Sequence, residues 1–230
     1  MSPTSTEETA RVLIETLQQS KSSKILEIES IALAAKVPEP SAMAILTRFV
    51  DDSDDGQFLL NPKSRVKVAM EVARAGRLKD AARALNWQEF ENFCAECLTE
   101  GGFRAEKNVR VMGDGRAWQI DLVGYRGDLV LTVDCKHWNT SGSESRLEPP
   151  AEHQRIATSH FLRTLIKGAS DQRNLQGLPV ILTLLEPPTH FLGNAALVSV
   201  EKLPNFLSGV NPFDPSLPLI SASDLLSKAL

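Results

Sequence analysis

The chain has no apolar run approaching the roughly 20 residues that a membrane helix needs. No membrane partner is therefore expected. Cysteine is scarce, with Cys94, Cys97 and Cys135 the only three in 230 residues. Three thiols make no disulfide framework for a chain of this length, so a reduced, cytoplasmic protein is expected. The opening residues, Met1-Ser-Pro-Thr-Ser-Thr-Glu-Glu, are polar and acidic and do not read as a secretory signal. No internal repeat or low-complexity tract is visible. Positive charge is not in excess either, since the formal net charge is −4. What remains is ordinary globular composition, 42% hydrophobic and 23% charged, with a mean hydropathy of −0.14. That excludes a disordered chain and a fibrous repeat. The length suits one large domain or two small ones.

Charge is unevenly placed. Residues 1–86 are neutral overall and 87–230 carry the −4. Within the first part, Lys63, Arg65, Lys67, Arg74, Arg77, Lys79 and Arg83 face only Glu71 and Asp80. A segment of +5 reads either as a solvated helix face or as a nucleic-acid contact. Lys63, Lys67, Arg74, Arg77 and Lys79 are the candidate DNA contacts.

Periodicity gives a helix over 6–19, with Ala10, Leu13, Ile14 and Leu17 on one face. A short strand and helix follow over 25–35, then a helix over 41–50, a loop at 51–56 and a wing-like strand at 57–60. Three helices followed by a small hairpin is the order of a winged helix-turn-helix. Its recognition helix would carry only one base, Arg48, so the reading as a protein-interaction module stays strong. We therefore expect a winged-helix-like domain at 1–62, a basic helical connector at 63–86 and a third part at 87–230.

The third part predicts a helix over 87–100, strands over 103–112, 118–125 and 128–135, and a loop over 140–151. A helix over 152–167, strands over 178–185 and 196–200, and a short helix over 201–207 come next. A short strand at 217–220 and a helix at 223–229 close the chain. The natural packing is α/β, a mixed central sheet flanked by helices.

The chemistry centres on Ile120-Asp121 and Val133-Asp134-Cys135-Lys136. Strand alternation puts Asp134 and Lys136 on one side and Cys135 on the other. A hairpin can bring Asp121 beside Asp134. Two carboxylates at the edge of a core repel, and a divalent cation relieves that repulsion. Oxygen ligands suit Mg²⁺, or Mn²⁺ in its place. The Cys135 carbonyl is a further candidate ligand, and Lys136 can hold a water. On the helix before the strands, Glu91 shares the inward face with Cys94 and Leu98. Cys94-Ala-Glu-Cys97 has metal-pair spacing, but mid-helix beside Phe93 and Leu98 it reads as core thiols. His153 and His160 share a helix face. His137, Trp138 and Gln154 follow the active strand and are candidates to touch substrate.

These residues resemble a known family. Phe90-Glu91, Ala95-Glu96-Cys97-Leu98, Gly102-Phe103, Gly113-Asp-Gly115, Ile120-Asp121-Leu122-Val123 and Leu131-Thr-Val-Asp134-Cys135-Lys136-His137-Trp138 look like the PD-(D/E)xK nuclease superfamily. The closest look is to Mrr-like restriction endonuclease domains, and it extends over about 87–207. The resemblance implies a restriction-endonuclease-like core and an Mg²⁺-dependent deoxyribonuclease. Asp121, Asp134 and Glu91 would be metal ligands, and Lys136 would orient the attacking water. DNA would be the partner, with His137 and Gln154 near its backbone. Two departures stand out: Asp134 where Mrr-like domains often carry Gln, and Ile120 rather than Pro before Asp121. Two other readings stay open. One is a Holliday junction resolvase-like enzyme acting as a homodimer. The other is a non-catalytic DNA-binding protein that keeps the fold.

Overall fold

A computed structural model describes residues 6–22, 25–49, 57–140, 142–168 and 174–227. The chain divides into two compact units, Met1–Phe93 and Cys94–Leu230.

In the first unit, α1 (Thr6–Gln19) buries Ala10, Leu13, Ile14 and Leu17, the face its periodicity marks. Strand β1 (Ile25–Glu27) leads into α2 (Ile28–Ala35), which ends on Lys36 in a left-handed conformation. Helix α3 (Glu39–Leu46) starts earlier and stops sooner than the expected 41–50. Pro40 falls in its first turn, where a missing N–H costs nothing, so it does not delay the helix. Strand β2 (Gln57–Leu59) pairs antiparallel with β1, setting buried Leu26 opposite buried Phe58. The short strand expected after α1 and the wing-like strand expected at 57–60 are thus both present, and they pair with each other. The expected loop at 51–56 lies outside the described residues.

Residues 63–86, read as a connector, form most of α4 (Pro62–Arg74) and α5 (Leu78–Ala84), which both pack against α1. Asn61 caps α4 by accepting the Ser64 N–H at 2.9 Å. Arg65, counted among the basic residues, is no surface charge: it is 6% exposed. Its guanidinium donates to the Leu17 carbonyl at 3.0 Å, to the Ala84 carbonyl at 2.6 Å and to the Ser20 hydroxyl. Its Nε lies 2.8 Å from Glu89 Oε1. Glu89 in turn accepts the Asn86 N–H, while Asn86 accepts the Glu89 N–H, both at 2.9 Å. That reciprocal pair is a capping box at the start of α6 (Trp87–Glu100). One side chain therefore satisfies carbonyls at the ends of two helices and anchors the first turn of a third.

Helix α6 runs across the division at Phe93. Beyond it, β3 (Arg104–Gly113), β4 (Arg116–Arg126) and β5 (Leu129–Lys136) form an antiparallel meander. Asp114 and Gly115, both at positive φ, make the first turn. Helix α7 (Glu144–Gly168) then crosses over to β6 (Gln176–Thr183), which is parallel to β5. Strand β7 (Phe191–Leu192), which sequence reading missed, precedes β8 (Ala195–Ser199). A 3-10 turn (Val200–Lys202), α8 (Leu203–Gly209), β9 (Ile220–Ser221) and α9 (Ala222–Ser227) follow. The sheet order is β3-β4-β5-β6-β8-β7, with β9 pairing with β6. Mixed polarity follows from the long crossover, because parallel neighbours need one.

Helix α7 lies along β3, β4, β5 and β6. It corrects the loop expected over 140–151, since the helix starts at Glu144 and contains Pro149 and Pro150. These prolines offer no N–H to the carbonyls of Ser145 and Arg146. Burial of Leu147 and Ala151 in a cluster with Ile181, Ala195 and Leu197 outweighs that loss. Further along, Ala157, Phe161 and Leu162 meet Trp118, Ile120, Val123 and Val130 in a second cluster. Among the described residues no helix is long and apolar enough to cross a membrane.

Arg65→Ala is expected to cost about 3–5 kcal/mol, because it strands Glu89 as a buried charge. Urea denaturation against wild type checks this, and a cost near zero would remove Arg65 from its structural role.

Candidate active site

The site begins where two strands part. The β4–β5 ladder runs from Arg126↔Leu129 to Leu122↔Val133 and stops there. Beyond that point β4 stays with β3, while Asp134, Cys135 and Lys136 pair with Ile181, Leu182 and Thr183 of β6. Across β3, Asn108 sits at φ +54, and the register runs from Lys107↔Leu122 to Val109↔Ile120 around it. In the fork, Asp121 Oδ2 accepts the Cys135 backbone N–H at 2.9 Å. A carboxylate thus takes the place of the carbonyl that a continuing ladder would supply.

This brings the expected residues together. Asp121 and Asp134 face each other within hydrogen-bonding reach. Lys136 Nζ lies 2.8 Å from the Asp134 carboxylate. The Asp134 and Lys136 side chains keep 15% and 23% of their exposure, so the pair sits in a recess. Burial pushes the Asp121 carboxyl up to about 6, and the Asp134 charge and hydrogen bond push the same way. The Cys135 N–H and the Lys136 ammonium oppose this.

Other candidates fall elsewhere. Glu91 is half-buried on α6, in the first unit. Among the described residues, no three or more His, Cys, Asp or Glu side chains form a group that could hold a metal ion. The two carboxylates brought together at the fork are Asp121 and Asp134. Cys94 and Cys97 are buried thiols. Cys135 contributes its N–H to Asp121. His137 is half-buried just past the strand, and Trp138 packs beside Leu147. Lys63, Lys67, Arg74 and Arg77 are exposed in the first unit and Lys79 is half-exposed. Arg74 pairs with Glu71, and Arg77 with Asp80 at 2.6 Å, so part of that charge is neutralised locally.

Gln154 is 1% exposed, and among the described residues neither its amide nitrogen nor its amide oxygen has a hydrogen-bond partner. One turn later, the Thr158 hydroxyl meets that of Thr132 on β5. Because α7 runs antiparallel to β5, the turn holding Gln154 lies over the Asp134 level of the strand.

Sequence reading missed the surroundings of Trp118. The Arg116 guanidinium lies 3.6 Å from the centre of its ring, and the His153 ring centre is 5.0 Å away. His153 is pushed down by burial, then by Arg116 and Lys136, against the pull of Asp121. The available signal was the Arg-x-Trp spacing, which puts both side chains on one strand face.

A mixed sheet flanked by helices, with acids at a strand fork, defines the restriction-endonuclease-like class. Residues 82–149 match the family model Mrr_cat, described as restriction endonuclease. The match runs from α5 through the fork into α7, under a third of the chain. No curated protein matches the chain. Among solved structures, a protein of unknown function, AF1548, aligns over 47% of this chain and 55% of its own at 17% identity, with a TM-score of 0.30. The protein VC1899 from Vibrio cholerae aligns over 90% of this chain and 55% of its own at 11% identity, with a TM-score of 0.38. The chain thus spans just over half the length of each, and scores this low bear on neither fold nor function.

A pH dependence follows from Asp121. Its folded value, about 6, stands above the ordinary 3.8. Folding therefore takes up a proton between those values. Stability without divalent cation is expected to fall as pH rises from about 4 through 6, by at most about 3 kcal/mol. Partial solvent access reduces that figure. Denaturation across this pH range in EDTA checks it, and Asp121→Asn is expected to flatten the slope.

Proposed function

We propose that the protein is a divalent-metal-dependent endonuclease that hydrolyses phosphodiester bonds in DNA, of restriction or repair type. The observation that carries this reading is the Asp121–Asp134–Lys136 cluster at the strand fork. Two carboxylates within hydrogen-bonding reach, one of them pushed up to about 6, are a donor set whose charge Lys136 offsets only in part. Hard oxygen donors of this kind fit Mg²⁺ or Mn²⁺, which keep several waters and need few protein ligands. Asp121 and Asp134 would hold the ion. When bound, the ion supplies positive charge that offsets the carboxylates and polarises a phosphate oxygen.

The chain's own groups do the rest. The Cys135 N–H fixes Asp121, so its remaining oxygen keeps a set direction. Asp134 holds the Lys136 ammonium, whose other protons can orient the attacking water and meet the phosphate. The buried Gln154 amide offers one donor and one acceptor to a water or phosphate oxygen entering the recess. DNA is favoured as substrate by the restriction-endonuclease match. In the first unit, exposed Lys63, Lys67, Arg74 and Arg77 supply positive charge for duplex phosphates, a contact independent of base sequence.

Cleavage of plasmid with Mg²⁺ or Mn²⁺ tests the reading. Asp134→Ala and Lys136→Ala are each expected to lower the rate by about 10²-fold or more. Cutting that survives both substitutions would come from a contaminant and would overturn the proposal. Gln154→Leu is expected to slow cleavage while raising stability by about 1–3 kcal/mol, because it removes an unsatisfied buried amide. Thermal melts beside the cleavage assay separate the two effects.

A further inference from the structure

Two arginines sit over tryptophan rings, one preceding Asp121 in the chain and one following Lys136. Arg116 Cζ is 3.6 Å from the centre of the Trp118 ring, and Arg146 Cζ is 3.8 Å from that of Trp138. Trp118 precedes Asp121 by three residues on β4, and Trp138 follows Lys136 by two. Both arginines are exposed. Among the described residues neither has a carboxylate partner. Arg74, Arg77, Arg104 and Arg155, by contrast, each have a carboxylate neighbour.

Both platforms are fixed from behind. The Trp118 indole N–H donates to the Gly113 carbonyl at 3.0 Å, and its ring packs against His153 and His160. His160 reaches Asp114 at 3.0 Å and fits against Gly113 so closely that a Cβ there would fall 2.2 Å from the imidazole. Trp138 packs on Leu147, with Gly142 leaving room beside it. Arg146 spends one donor on the Thr140 hydroxyl at 3.2 Å. The stacks open toward the acids: Lys136 Nζ lies 5.9 Å from the Trp138 ring centre, and His153 feels both Arg116 and Asp121.

We propose that the Arg116–Trp118 and Arg146–Trp138 stacks are two phosphate clamps that grip a DNA strand on either side of the bond being cut. Stacking uses the face of a guanidinium and leaves its edge, where the N–H groups are, for phosphate oxygens. A side chain already immobilised on a ring loses little freedom on binding. The two arginines are binding and positioning residues, not catalytic ones, and the inference rests on the nuclease reading above.

The test is fluorescence anisotropy of a short labelled duplex in EDTA across a salt series, paired with plasmid cleavage in Mg²⁺. Arg116→Gln and Arg146→Gln are each expected to weaken binding by about tenfold and to lower the salt slope by about one. KM rises while kcat changes little. Arg116→Lys and Arg146→Lys are expected to restore the slope, which an unfolded variant could not do. Lys167→Gln removes one charge near the end of α7, about 30 Å along the helix from Arg146 and about 20 Å from His153 beside the other stack, and should leave binding unchanged. Two results overturn the clamps: glutamine variants that bind and cut like wild type, or an equal loss in Lys167→Gln. Wild-type protein that cuts no DNA sinks the nuclease reading instead.

Discussion

The acceptance of the Cys135 N–H by Asp121 is the contact on which the site depends. An antiparallel pair that continued past Leu122↔Val133 would use that N–H in the ladder and leave Asp121 to solvent or core. Because the strands part, an acid fills the gap, and its neighbour across the fork is Asp134. The cost is two carboxylates close together in a poorly solvated recess, which is why Asp121 holds its proton to about 6. Lys136 pairs with Asp134 and offsets the two charges only in part. The fork therefore stores an electrostatic imbalance that a cation relieves, and the proposed chemistry is a use of that imbalance.

Helix α7 closes the other side of the recess. Its apolar residues anchor it on the sheet at both ends, which lets a polar stretch, Gln154 and Thr158, lie between them without loosening the packing. The same helix presents His153 and His160 to Trp118, so the β3–β4 turn is pinned to the helix as well as to the sheet. Rigid backing of this kind suits a site that must hold a polyanion in register.

The first unit solves a different problem with one residue. Short helices leave many carbonyls and N–H groups unpaired at their ends. Arg65 gathers carbonyls from α1 and α5 and, through Glu89, stabilises the start of α6. In sequence it looks like one more base in a positive segment. Only its partners, 24, 48 and 19 residues away, show that its charge is spent inside.

Local pattern determined most elements. The 3.6-residue period of α1, the apolar stretches before Asp121 and Lys136, and the Gly115 turn are properties of neighbouring residues. They were legible because secondary structure follows from short-range sterics and burial periodicity. The pairing of Asp121 with Asp134 was also readable, since a hairpin fixes which positions meet. What the sequence could not decide was set by distant contacts. The Pro149-Pro150 turn became helical because Leu147 and Ala151 gained a core. β7 formed only because β8 offered an edge. Arg65 turned inward to reach its carbonyls, and Gln154 was buried without a partner among the described residues. Each outcome compares a local preference of a kcal/mol or so with burial or pairing worth as much or more, and the winner is known only once the chain has folded.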